Sequence, residues 1–219
     1  MALPVRYTFA ASSTTYVATA QTLGAAGNLT IDGTGAGVQV SPTRRMTLTG
    51  SGFARPITLT STGNISAVTF TITGTDIRGA ALVEAISGPN NNTVSTTGLF
   101  YTVTNIAASA AVGTATSVGI GTTGKSQWRT VDYQLTPVNI GLGIAVTSTI
   151  NWTVQQTTAN VQTSEPVAAE IVAHPDTTLV SQTVSRQGNY AFPFGAFQLV
   201  VNSSTGGSLT FDAYQAGIM

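Results

Sequence analysis

Val68-Thr69-Phe70-Thr71-Ile72-Thr73 alternates apolar and hydroxyl side chains without a break. Successive side chains of a strand point to opposite faces, so Val68, Phe70 and Ile72 share one face and three threonines the other, as in a half-buried strand. Threonine suits such a strand because its β-branch fits a pleated surface while its hydroxyl faces water. The same period runs through Val146-Thr147-Ser148-Thr149-Ile150-Asn151-Trp152-Thr153-Val154, where Val146, Ile150, Trp152 and Val154 share a face. Near the C-terminus, Phe197, Leu199 and Val201 line one run and Leu209, Phe211 and Ala213 the next. Between them, Ser204-Thr205-Gly206-Gly207 supplies two glycines able to take positive φ, which predicts a hairpin. Further strands are expected at 28–31, 38–40, 45–49, 57–60, 80–86, 100–106 and 116–120. Ser164-Glu165-Pro166, followed by 167–173 and Pro175, fits either a short helix capped by Ser164 or another strand. Short alternating runs separated by Gly, Asn, Ser and Pro predict an all-β protein, built of antiparallel β-sandwich or jelly-roll-like modules with little helix.

Domain division follows composition. The stretch 119–126 concentrates Gly and Thr near the middle of the 219 residues, and both tryptophans, Trp128 and Trp152, follow it. Two modules are expected, an N-terminal one over 1–124 and a C-terminal one over 125–219; one continuous β domain is the alternative. Residues 1–11, with alternating Val5, Tyr7 and Phe9 after Pro4, read equally as a strand of their own domain or as an arm pairing with a neighbouring subunit's sheet edge. Thr47-Leu48-Thr49-Gly50-Ser51-Gly52 is echoed by Thr58-Leu59-Thr60-Ser61-Thr62-Gly63, which reads as a pair of adjacent strands.

Only 7% of residues are charged, with 8 basic and 8 acidic side chains, against roughly 25% in ordinary soluble domains. Threonine (39) and serine (18) together supply about a quarter of the chain. A net charge of zero with one lysine argues against nucleic-acid binding, which needs clustered cations to neutralise phosphates. With no cysteine there is neither a disulfide framework nor a thiolate metal site. Apolar runs fall far short of the ~20 residues that span a bilayer, and the N-terminus has no apolar signal-peptide core, so a cytosolically made protein is expected. Five Asn-x-Ser/Thr triplets, at Asn28, Asn64, Asn91, Asn151 and Asn202, stand against roughly three that such a composition yields by chance, and without a secretion signal they are not expected to be used.

Chemistry-bearing motifs are few. Gly119-Ile120-Gly121-Thr122-Thr123-Gly124-Lys125-Ser126 satisfies the phosphate-binding pattern G-x-x-x-x-G-K-[ST]. That motif works when a helix N-terminus follows it, but Gln127-Trp128-Arg129-Thr130-Val131-Asp132-Tyr133 is β-prone, so the stretch reads as a linker. His174, in Ala173-His174-Pro175-Asp176, is the only histidine, which leaves no His-built metal site within one chain and reads as a turn residue. The carboxylates Asp32, Asp76, Glu84, Asp132, Glu165, Glu170, Asp176 and Asp212 are scattered, without the pairing of a hydrolase. Trp128, Tyr133, Tyr190 and Phe194 are candidates for a sugar-stacking platform, with core packing the favoured alternative. No catalytic, cofactor-binding or metal-ligating residue is assigned, no cofactor is expected, and no enzymatic activity is expected.

Two stretches resemble accessory β-rich structural proteins of tailed bacteriophages. One runs from Ile57-Thr58-Leu59-Thr60-Ser61-Thr62-Gly63-Asn64 through Val68-Thr69-Phe70-Thr71-Ile72-Thr73-Gly74-Thr75-Asp76, Glu84 and Gly88 to Phe100-Tyr101-Thr102-Val103-Thr104. The other is Phe197-Gln198-Leu199-Val200-Val201-Asn202, with Ser208-Leu209-Thr210-Phe211 and the ending Gln215-Ala216-Gly217-Ile218. The resemblance implies a component of the virion and transfers no catalytic residue. Expected partners are other virion proteins, either the major capsid protein or tail and neck components, together with further copies of the chain; nucleic acid and membrane are not expected partners. Within the particle, capsid decoration is favoured over a tail or neck role. A carbohydrate- or receptor-binding module of a fibre or spike is the competing class. Charge poverty fits the first reading, because a Thr/Ser/Gly surface has little electrostatic means of keeping copies apart and suits burial in a symmetric assembly.

Overall fold

In the computed structural model the alternating runs are strands; the structure describes residues 5–35, 46–47, 52–132, 134 and 138–216. In chain order they are β1 (Val5–Phe9), β2 (Ser13–Leu23), β3 (Gly27–Asn28), β4 (Met46–Thr47), β5 (Phe53–Ala54), β6 (Ile57–Ser61), β7 (Thr69–Thr75), β8 (Ala81–Ser87), β9 (Thr93–Ser95), β10 (Thr102–Ala108), β11 (Val112–Ile120), β12 (Gly124–Ser126), β13 (Arg129–Thr130), β14 (Asn139–Val146), β15 (Ile150–Thr157), β16 (Ile171–Ala173), β17 (Arg186–Tyr190), β18 (Ala196–Ser204) and β19 (Leu209–Ala216). Helical structure among the described residues is confined to the 3-10 turns Ala168–Glu170 and Thr177–Leu179. The protein is therefore all-β, and its ladders are antiparallel. The chain divides into two units, an inner one over Ser12–Gly124 and an outer one made of Met1–Ala11 with Lys125–Met219.

The inner unit is a two-sheet sandwich. One sheet runs β2-β11-β6-β9 and the other β3-β10-β7-β8, with β4 continuing β3's place along β10. Counting β3 and β4 as one position and leaving β5 aside, the sheets read 1-8-3-6 and 2-7-4-5 in chain order, the wrapping of a jelly roll. Alternation supplies the core: Phe70 and Ile72 from β7 and Ile57 and Leu59 from β6 are fully buried, with Val118 of β11 and Ile106 of β10. The β7–β8 hairpin turns on Asp76, whose Oδ1 accepts the Arg78 and Ala80 N–H groups at 2.9 Å each, and on Gly79 at φ 86°.

The outer unit repeats the topology. Its sheets run β1-β19-β14-β17 and β16-β15-β18-β12, with β13 continuing β12's place along β18. Counted in chain order, these are again 1-8-3-6 and 2-7-4-5. The first position, however, is β1, which pairs Val5–Phe9 with 209–213 of β19. The chain thus lays down one strand of the outer jelly roll, builds the whole inner jelly roll, and returns to complete the outer one.

Several expectations are corrected. Residues 1–11 belong with 125–219 rather than with the N-terminal module, and β1 pairs along one edge with β19 of its own chain. β18 and β19 have the expected buried faces, but they lie in opposite sheets, so Gly206 (φ 136°) and Gly207 (φ 77°) carry the chain across the sandwich instead of closing a hairpin. The run 146–154 is likewise split between β14 and β15, one in each sheet. The echoing segments do not pair: β4 lies on β10, and β6 lies between β11 and β9. Of the alternatives at 167–173, a 3-10 turn followed by β16 is found, with no α-helix. The expected strand at 38–40 and most of 45–49 lie outside the described residues.

Candidate functional site

The phosphate-loop pattern is dismantled by its surroundings. Gly119 ends inside β11, where a Cβ would lie 2.1 Å from the Ser13 carbonyl oxygen, so its missing side chain serves strand packing. The Gly121 carbonyl accepts from the Arg55 guanidinium, whose Nε lies at 3.2 Å. Gly124-Lys125-Ser126 is strand β12 rather than a helix start; Lys125 is exposed, and the buried Ser126 hydroxyl accepts the Leu199 N–H at 2.9 Å. Arg55 is itself buried, and that burial lowers its pKa to about 10, so it stays a cation at neutral pH.

Every one of the eight carboxylates is committed to local structure. Asp32 accepts the Thr19 N–H and hydroxyl at 2.8 and 2.9 Å, and Asp212 takes Arg6 in a two-pronged ion pair at 2.6 and 3.0 Å. Glu84 reaches the N–H groups of Thr97 and Gly98, each at 2.8 Å, and the Thr97 hydroxyl; burial would raise its pKa, but these donors outweigh it and hold the carboxyl below its usual range. Asp76, Asp132, Glu170 and Asp176 bind backbone N–H groups of their own turns. Glu165 accepts the Trp128 indole at 3.0 Å. Among the described residues, no group of three or more His, Asp or Glu gathers around one point.

The candidate stacking residues are core. Tyr190 is fully buried, Phe194 and Trp128 nearly so, while Tyr133 lies outside the described residues. Tyr190 instead joins His174, Phe192, Phe194 and Phe197 in a chain of ring contacts inside the outer unit. A cleft of about 500 Å³ at one end of that unit is lined by Asp132, Gln134, Asn160, Gln162 and their neighbours. Its Asp132 and Asn160 side chains accept the Gln134 and Gln162 N–H groups at 3.0 and 3.1 Å, so the loops use their own polar groups.

What remains is a surface. On the outward face of the inner sheet β3-β10-β7-β8, the register sets Thr69, Thr71, Thr73 and Thr75 of β7 beside Ser87, Ala85, Val83 and Ala81 of β8. Asn105 and Ala107 of β10 flank Thr73 and Thr71 on the other side. None of these side chains is charged, and Val83 is 60% exposed. The one acid on β8, Glu84, turns to the other side, toward 97–98. Sequence reading found the threonine stripe, but the facing Ala/Val stripe emerges only once β7 and β8 are paired. Compared with known proteins, the chain matches no family model and no curated protein sequence.

Proposed function

We propose that this chain is a non-enzymatic structural component of a bacteriophage virion, and within the particle a capsid decoration (cement) protein seated on the major capsid protein. The observation that carries the reading is the uncharged outward face of β7, β8 and β10. It offers hydroxyls, methyls and backbone for burial without the desolvation cost of charges. β7 and the start of β10 are among the stretches whose sequence resembles accessory phage proteins. Each jelly-roll module, its carboxylates hydrogen-bonded within the fold, supplies a firm surface for covering joints between capsid subunits. A role at the tail or neck uses the same surfaces. A glycan-binding role would use the polar cleft of the outer unit instead, and binding on a glycan array abolished by Asn160→Ala would favour it.

The test is binding of the purified protein to phage heads assembled without it. Val83→Lys places a charge at a position 60% exposed, where the fold tolerates it. We expect at least tenfold fewer bound copies and an unchanged monomer circular dichroism spectrum. Full binding by this variant would remove the β7–β8 face from the contact.

A further inference from the structure

The outer unit buries the chain's single histidine. His174 directly follows β16; its N–H donates to the Val154 carbonyl of β15 at 2.9 Å, and only 4% of it is exposed. Its ring lies against Tyr190 of β17, with centroids 4.2 Å apart. β15 and β16 belong to one sheet of the outer jelly roll and β17 to the other. Together with the Tyr190–Phe197 contact, this ring contact ties the two sheets along the flank where the chain passes from the fifth strand position to the sixth. Tyr190 carries the contact inward to Phe194, 4.1 Å away between centroids.

Hydrogen bonding fixes the state of the imidazole. The Asp176 N–H donates to Nδ1 at 3.0 Å, so Nδ1 holds a lone pair and the neutral ring keeps its proton on Nε2. Nε2 and the Tyr190 hydroxyl are both buried, and neither has a partner in hydrogen-bond geometry. A second proton would have to sit on Nδ1, facing the Asp176 N–H that now donates to it, and would put a cation among aromatic rings. Burial is the dominant influence and lowers the pKa of His174; the Asp176 carboxylate favours the cation but is outweighed. The Asp176 carboxylate already accepts the Thr178 N–H at 2.8 Å. β17 contributes the Tyr190 phenol, whose ionisation burial pushes up, and β15 contributes the uncharged Val154 backbone.

We propose that His174 is a clasp that joins the two sheets of the outer jelly roll while neutral and releases the flank 171–190 when protonated. Release would free β16 and the turn Thr177–Leu179 and uncover the ring of Tyr190. The direction with pH follows from linkage. In the opened flank the imidazole titrates at its ordinary value of about 6.5, whereas in the closed flank it resists the proton. Above that value it is neutral in both forms and pH does not act through it. Below it the open form takes up a proton and the closed form does not, so the opening constant grows by up to tenfold per pH unit until the closed form's lower pKa is reached. The inner unit contains no histidine and serves as an internal reference. The clasp is independent of the virion reading.

Amide hydrogen exchange on the full chain between pH 7.5 and 5.0, corrected for intrinsic exchange, tests it. Peptides covering 171–190 are expected to hold constant protection down to about pH 6.5 and then to open by up to tenfold per unit, while β7 of the inner unit is unchanged. His174→Asn, which keeps an acceptor near the Asp176 N–H but does not titrate here, should flatten the profile. A nuclear magnetic resonance titration of the wild-type imidazole gives a reading that needs no variant, with an expected midpoint below 6.5. Protection of 171–190 independent of pH, the same acid response in His174→Asn, or a midpoint at or above 6.5 would overturn the clasp.

Discussion

Three carboxylates in this chain, Asp76, Asp132 and Asp176, serve as hydrogen-bond acceptors for their own turns, and their sequence neighbours explain why. Asp76, Asp132 and Asp176 each accept the N–H two residues ahead, a geometry a short carboxylate reaches without disturbing the chain. That much is legible locally. The partners of Asp32, Glu84 and Asp212 lie 13 to 206 residues away and become visible only in the fold. Glycines divide in the same manner. Gly74 sits opposite the bulge where the β7–β10 register shifts between Val103 and Asn105, and a Cβ there would lie 1.8 Å from the Thr102 carbonyl oxygen. Gly141, in the middle of β14, has nothing nearer than 3.9 Å to such a Cβ. Gly74→Ala should therefore destabilise the inner unit by about 1–3 kcal/mol, through forced displacement of β10. Gly141→Ala should stabilise the outer unit by about 0.5–1 kcal/mol, because a strand glycine gives up more backbone entropy than alanine. Denaturant unfolding of both variants reads the two signs; equal effects would mean that the spacing at Gly74 is relieved by movement elsewhere.

At the scale of elements, a period of two told which side of each strand is buried but not which strand lies beside it. Phe197, Leu199 and Val201 face the core as expected, and so do Leu209, Phe211 and Ala213. Their hairpin was the natural inference from Gly206-Gly207, yet a sandwich can use the same two glycines to cross from sheet to sheet, and nothing local separates the two uses. The pairing of β1 with β19 joins residues near opposite ends of the chain and leaves no signal in either strand alone. Phe9 carries the consequence. Its side chain is fully buried, so Phe9→Ala should cost the outer unit about 3–5 kcal/mol. The inner unit, which begins three residues later, should keep its stability. Hydrogen exchange resolved by peptide distinguishes this from a loss falling on the inner unit, the result expected if residues 1–11 stabilised the N-terminal module.

At the scale of the molecule, two jelly rolls are nested by connectivity, the inner inserted after the first strand of the outer. The low charge has a structural counterpart here: the acids are drawn into turns, other hydrogen bonds and the Arg6–Asp212 ion pair, and the outward face of β7, β8 and β10 is left without a charge. Such a face gives weak electrostatic discouragement to close approach by another protein, and this links the fold to the proposed place in a virion. The most direct measurement is an icosahedrally averaged cryo-electron microscopy reconstruction of the phage particle that carries this chain. Density for the two jelly rolls at regular positions on the outer surface of the head, in contact with the major capsid protein, is the predicted result. Their absence from intact particles in which the chain is expressed would contradict the virion assignment, and density confined to the tail or neck would contradict the decoration role.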